Sequence, residues 1–335
     1  MTRLAELIPD EASAYEFLEK SRWKGVPMCP HCHDTAVTFI VPSNGTDKRR
    51  TRTGAMSARR LWQCNGCRKQ FSVLTGTVMH GTKISIRVWV MVMFEFAANK
   101  NGIAAREVER RYGLSPRSAW HLLHRIREAM GNDALTMLGG EGHVIVADET
   151  FIGGSFKNMH KSKTDSEPVK IVPGEGARHP NPVGNKTAVL TLIDTETGES
   201  RSRIVPDVTG ASLRKAIADQ VLMSRSTLHT DESKSYNLVA GEFAAHESVN
   251  HSADEYVRYT PEGIVTSNQA ENFFSQLKRS LDGTHHHVSR KHLARYLAEF
   301  DYRYSTRGLS DTERFAAMID RTDGIRLAYR PLAAA

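Results

Sequence analysis

Two identical cysteine knuckles constrain this 335-residue chain more than anything else in it. They are Cys29-Pro30-His31-Cys32 and Cys64-Asn65-Gly66-Cys67, and the chain has no other cysteine. Each C-x-x-C closes one tight turn. Two such turns supply the four thiolates of a closed tetrahedral Zn²⁺ site, which ties two distant segments together. A disulfide framework is the poorer explanation for a long chain whose first residues carry no signal-peptide pattern, and a cytoplasmic location is the expectation. His31 and His33 are spare ligands read as bystanders. Between the knuckles, Lys48, Arg49, Arg50 and Arg52, then Arg59 and Arg60, lie among Ser, Gly and Thr. Such a basic loop suits phosphate contact.

The net charge of +7 fits a nucleic-acid partner. No stretch approaches the roughly 18 apolar residues of a membrane span, so no membrane partner is expected. Residues 10–21 read as a helix capped by Asp10, and residues 84–100 as an apolar core helix. Next, Tyr112-Gly113 ends a helix at a left-handed glycine, and Ser115-Pro116 starts another as N-cap and first helical residue. The second helix carries Arg117, His121 and Arg125. This is a helix-turn-helix pattern whose second helix can enter the major groove.

From His143 the composition turns to β. Val144-Ile145-Val146-Ala147 reads as a strand ending in Asp148-Glu149. Two more strands follow over 186–193 and 202–205, with Asp194 read as turn chemistry between them. Residues 155–185, rich in Lys, Gly and Pro, read as a flexible insertion. After a helix over 212–221, residues 226–230 form a strand that again ends in acids, Asp231-Glu232. A further strand is expected at 249–252. Ser267 to Arg279 reads as a helix with Glu271 and Lys278 two turns apart on one face, and 289–304 as the next. Alternating strands and helices of this kind form one α/β sheet. Asp148, Asp231 and Glu271 are hard oxygen donors suited to Mg²⁺ or Mn²⁺. Clustered acids repel unless a cation joins them. Lys278 and Arg279 then suit DNA phosphate.

Taken together, these features resemble the DDE transposases of bacterial insertion sequences, and more narrowly the ISXO-type group. The residues that carry the resemblance are Asp148 to Gly154, His229-Thr230-Asp231-Glu232, Ser267 to Arg279, Gly283 to Leu293 and Arg295 to Phe300. It runs from about residue 10 to 315. The expected fold is multidomain α+β and α/β. A helix and zinc ribbon occupy 1–80 and a helix-turn-helix domain 81–138. An RNase H-like mixed sheet flanked by helices fills 139–315, and 316–335 is a tail.

The resemblance implies Asp148, Asp231 and Glu271 as catalytic metal ligands. Asn268 is the rival for the third position. Glu149 is the twin of the first, although strand neighbours point to opposite faces. The histidines at 285–287 read as a polar turn. The implied partners are double-stranded DNA, as transposon ends and target, and further copies of the chain in a homo-oligomer at the bacterial nucleoid. Two other readings stand beside it: a zinc-ribbon and helix-turn-helix DNA-binding regulator on a transposase scaffold, and a different RNase H-like nuclease.

Overall fold

The computed structural model describes residues 2–41, 49–50, 56–131, 136–153, 186–261 and 263–328. They form two compact units, 1–131 with 307–335, and 132–306.

The first unit begins with α1 (Thr2–Leu7) and α2 (Glu11–Trp23). Asp10 caps α2 by accepting from the Ser13 backbone N–H at 2.9 Å. The cysteine region forms β1 (Val37–Phe39), β2 (Arg49–Arg50), β3 (Met56–Ser57), β4 (Trp62–Cys64) and β5 (Gln70–Phe71). β1, β4 and β5 make one small sheet, and β2 pairs with β3. Glu19 of α2 anchors the small sheet, accepting from the Trp62 indole at 2.9 Å and from Arg60 at 2.8 Å. The edge of Trp62 meets Trp23 at 5.6 Å.

Then come α3 (Ile86–Ala98), α4 (Ala105–Tyr112) and α5 (Pro116–Met130). Ser85 makes no side-chain cap for α3. Glu11 does so from a distance, accepting from the N–H groups of Ile86 and Arg87. Gly113 ends α4 at φ 62° and Ser115 caps α5 with Pro116 in its first turn, where the local sequence signals require them.

The second unit is built on β6 (His143–Ile152), β7 (Thr187–Asp194) and β8 (Ser200–Val205). α6 (Gly210–Ala218), β9 (Ser226–Thr230), α7 (Asn237–Ala240) and β10 (Ala245–Ser248) follow. β11 (Val257–Thr260) and β12 (Gly263–Thr266) pair as a hairpin, then come α8 (Asn268–Ser280) and α9 (Arg290–Ser305).

The main sheet has the order β10-β9-β6-β7-β8. β6, β7 and β8 run antiparallel, while β9 joins β6, and β10 joins β9, in parallel. This mixed order, covered on both faces, is an RNase H-like architecture. Ile145, Ala147, Leu190 and Leu192 face Leu213, Ile217, Tyr236 and Val239 on one side. Val146, Val189 and Ile193 face Phe273, Phe274, Leu277 and Leu297 on the other. β7 is buried along its whole length, as a central strand between two helical layers must be.

α10 (Asp311–Asp320) belongs to the first unit again. There Phe315 meets Phe17 and Phe94.

Three sequence expectations shift. β6 does not end at its acids but runs through them to Ile152, because Asp148 and Glu149 pair with Thr191 and Leu190 of β7. The strand expected at 249–252 lies at 245–248, where it can pair with β9. The hairpin β11–β12 has no counterpart in the sequence reading. The insertion expected at 155–185 lies outside the described residues.

Candidate active site and zinc site

The four cysteine sulfurs lie within 4.8 Å of one another. Cys29 and Cys67 sulfurs are 3.7 Å apart, and those of Cys32 and Cys64 3.5 Å. Tetrahedral Zn–S bonds of about 2.3 Å place sulfurs roughly 3.8 Å apart, so the donor set fits Zn²⁺. Each knuckle is closed alike. The residue after the second cysteine, His33 or Arg68, is left-handed, and a backbone N–H meets the first sulfur at 3.4 Å. The Cys67 N–H, working against burial, holds the Cys64 thiol down at about 7, close to the thiolate a metal needs. A Cβ at Gly66 would sit 2.5 Å from Asp34 Oδ2, so any larger residue there would displace the Asp34 carboxylate. His31 and His33 stand outside this group.

In the second unit, Asp148 lies between Val146 and Ile152 on the strand face that packs against α8 and α9. β9 runs beside β6 with Val146 level with His229. Two residues further along that register, Asp231 falls level with Asp148. Asp231 accepts from the Ser233 N–H at 3.0 Å, which fixes the bend after the strand. Glu271 stands in the first turn of α8, and its carboxylate lies 3.5 Å from His251 Nδ1. The other nitrogen of His251 meets Ser267 Oγ at 3.0 Å. Glu232 accepts the N–H groups of His251 and Ser252, and its pKa falls to about 2 through the bonds from Ser252 and His251.

Burial, with the charges of Glu149, Asp231 and Glu271 added to it and a bond from the Glu149 N–H working against it, raises the Asp148 carboxyl to about 7. Among the described residues the four cysteines are the group whose ligand atoms all lie within 4.8 Å of one another. Four like charges without a cation repel.

Glu149 faces the opposite layer, where it accepts the Tyr236 hydroxyl inside the core. Asn268 is the first residue of α8, and its N–H donates to Thr266 Oγ1. Tyr236→Phe would leave the half-buried Glu149 without its donor. It is expected to lower stability by about 1–2 kcal/mol in urea unfolding.

Lys278 and Arg279 are exposed on α8. Arg117 is exposed near the start of α5 and His121 is half-buried one turn on. Arg125 is a correction. It is 7% exposed, donates to the His80 carbonyl at 2.8 Å and lies 5.0 Å over the Trp89 ring. Burial, and then Arg326, lower its pKa to about 10. Its position on α5 turns it into the core, so it offers nothing to a DNA groove. Arg125→Ala should cost about 2–3 kcal/mol in urea unfolding, with DNA affinity per folded molecule unchanged. Arg49 and Arg50 lie on β2; Lys48 and Arg52 lie outside the described residues. Sequence reasoning passed over His251 and Tyr236, because no local motif marks a residue whose partner is distant in the chain.

Residues 137–305 match the family model of the ISXO2-like transposase domain, and residues 9–70 that of the transposase zinc-ribbon domain. The chain belongs to the ISXO2-like transposase family. This transposase is 24% identical over 294 residues to an uncharacterized protein in transposable element ISH50 of Halobacterium salinarum. That match covers 88% of this chain and 90% of the other. Among solved structures, the catalytic core domain of BIV integrase is similar at a TM-score of 0.27 and 15% identity, over 47% of this chain and 80% of that one. A simian T-cell lymphotropic virus intasome in complex with PP2A regulatory subunit B56 gamma is similar at a TM-score of 0.27 and 16% identity, over 58% and 63%. No helix among the described residues is long and apolar enough to cross a membrane.

Proposed function

We propose that this transposase binds the terminal inverted repeats of its own insertion sequence and carries out metal-dependent strand cleavage and strand transfer. The observation that supports this most is electrostatic. On a transposase-family sheet, Asp148 feels the charges of Asp231 and Glu271, brought to it from a neighbouring strand and a packed helix.

A carboxyl raised to about 7 by burial and neighbouring acids suits a divalent cation, which would neutralise all of them. Asp148, Asp231 and Glu271 would hold Mg²⁺ or Mn²⁺, with Asn268 as the alternate for the third place; Glu149, turned onto Tyr236, is no longer a rival for the first. Such ions supply Lewis acidity toward both the attacking and the leaving oxygen of a phosphodiester.

The chain's own residues do the rest. Tyr236 holds Glu149 toward the opposite layer, so that Asp148 alone of the pair faces α8. Glu232 pins the His251 backbone, and His251 sets the Glu271 carboxylate. Lys278 and Arg279, about two turns beyond Glu271, meet DNA phosphates. Arg117 and His121 of α5 enter the major groove, and the basic strand of Arg49 and Arg50 adds backbone contact. A homo-oligomer bridges the two ends and the target. The cytoplasm, where chromosomal DNA lies, is the expected compartment.

The test uses full-length, zinc-loaded protein with Mg²⁺ and a duplex carrying the DNA that flanks the gene. Nicking at the inverted-repeat boundary and joining to a plasmid target is the expected result. Specific binding with no strand chemistry in Mg²⁺ or Mn²⁺ would instead indicate a DNA-binding regulator. Cleavage indifferent to the end sequence would indicate another nuclease on the same architecture.

A further inference from the structure

A second feature of this unit lies beyond the acids. The end of β6, the start of β7, the end of α8 and the turn that follows enclose a cleft of about 360 Å³. Ile152, Leu281 and Val288 form its apolar floor, while Lys186, Lys278, Asp282, His286 and His287 stand around it. Ile152 and Val288 pack against the core beneath α8, so the floor is part of the folded body.

Neither lysine forms an ion pair with a carboxylate among the described residues. The Lys278 ammonium instead stands 5.9 Å from the Phe274 ring. The turn that presents His287 is held in an unusual form. Leu281–His285 is a π-helical turn. His286 follows with φ 58°, its Nδ1–H donating to the Asp282 carbonyl at 2.9 Å. A β-carbon-bearing residue in left-handed backbone beside a π-turn is the kind of strain that folds retain at working sites.

Two elements lead from the acids into this cleft. Along β6, Asp148 to Ile152 or Gly153 is roughly 13–16 Å. Along α8, Glu271 to Lys278 is about 10 Å. Asp148 and Ile152 share one strand face, so the cleft continues the surface on which the acids lie. One strand of B-DNA presents a phosphate about every 3.4 Å of axis, so the cleft is some three to five phosphates from the acids. Two ammonium groups and an imidazole outweigh the single carboxylate of the lining, Asp282, and over an apolar floor they match an anionic oxygen with the sugar beside it.

We propose that this cleft is a phosphodiester-binding site, in which Lys186, Lys278 and His287 hold the DNA backbone a few nucleotides from the bond that is cut. The proposal rests on the strand-chemistry reading above and adds Lys186 and His287 to the DNA-contacting set.

The experiment measures anisotropy of the labelled flanking duplex with full-length, zinc-loaded protein between 50 and 200 mM salt. It compares wild type, Lys186→Gln, His287→Gln, the double variant and Lys291→Gln, a charge-matched change at an exposed α9 lysine outside the cleft. Lys186→Gln should weaken binding about fivefold and reduce the salt slope by about one. The double variant should weaken it by more than tenfold. A single neutral methylphosphonate three to five nucleotides from the cut bond should weaken the wild type but not the double variant.

Variants that match wild type in affinity and slope would overturn the cleft, as would Lys291→Gln losing as much as Lys186→Gln. A wild type that cuts the ends while the cleft variants stay unaltered sinks only this inference. A wild type that shows the cleft effects but never cuts supports the cleft and sinks the strand chemistry. A wild type that binds no DNA overturns both.

Discussion

Asp148→Ala and Asp231→Ala are each expected to reduce strand cleavage and joining by at least about 10³-fold, with specific end binding retained. Each removes a ligand of the proposed metal centre, and ions that align and activate both oxygens of a phosphodiester account for most of such a rate. Gel assays of nicking on pre-cut and intact ends, at matched DNA occupancy, measure it. Full activity in either variant would exclude the assignment.

The same residue makes a stability prediction of opposite sign. The Asp148 carboxyl titrates near 7 in the folded chain against 3.8 ordinarily. Below about pH 4 both folded and unfolded chains hold the proton, and the site costs nothing. As pH rises toward 7, the unfolded chain ionises first and folding loses stability. Asp148→Asn should therefore match wild type near pH 4 and melt a few degrees higher at pH 7.5, since about 1 kcal/mol moves Tm by roughly 2–4 °C at this size. Mg²⁺ should raise the wild-type Tm at pH 7.5 and leave Asp148→Asn nearly unmoved. A variant less stable than wild type at pH 7.5 would show that the acid is not under electrostatic tension.

Cys64→Ser is the second large effect. Cys64 is fully buried at the end of β4, the strand whose Trp62 meets Trp23 edge to face. Structural zinc contributes on the order of 10–16 kcal/mol of apparent binding free energy to small sites of this type. Losing one thiolate, or stripping the metal with a strong chelator, should release the zinc and unfold the small sheet. Metal analysis should fall to background, and the near-UV circular dichroism of the packed indoles should collapse. The sheet of the second unit contains neither the cysteines nor these indoles, so its far-UV signal should persist. An intact near-UV spectrum in metal-free Cys64→Ser would refute a structural role for zinc.

What could be read from the chain is what depends on neighbours in sequence. The two C-x-x-C turns, the Asp10 and Ser115 caps, the left-handed Gly113 and Pro116 in the first turn of α5 all act over a few residues. So does the strand–helix alternation, and with it the acids. The hairpin β11–β12 escaped, and strand β10 was expected four residues too late, because a strand exists only once its partner is in place, and their partners are set by register rather than by composition.

Direction was the other thing the sequence left open. Arg117 and Arg125 look equivalent on a helix, yet packing over the Trp89 ring makes Arg125 a core residue and leaves Arg117 in solvent. Asp148 and Glu149 are adjacent and alike. The pleat of β6 sends one toward α8 and the other onto Tyr236, and only the folded sheet brings the charges of Asp231 and Glu271 to bear on the first. The sequence alone determined which chemical groups the chain possesses and how its turns and helices begin. Tertiary structure decided which groups meet, because burial and like-charge repulsion act through space and not along the chain.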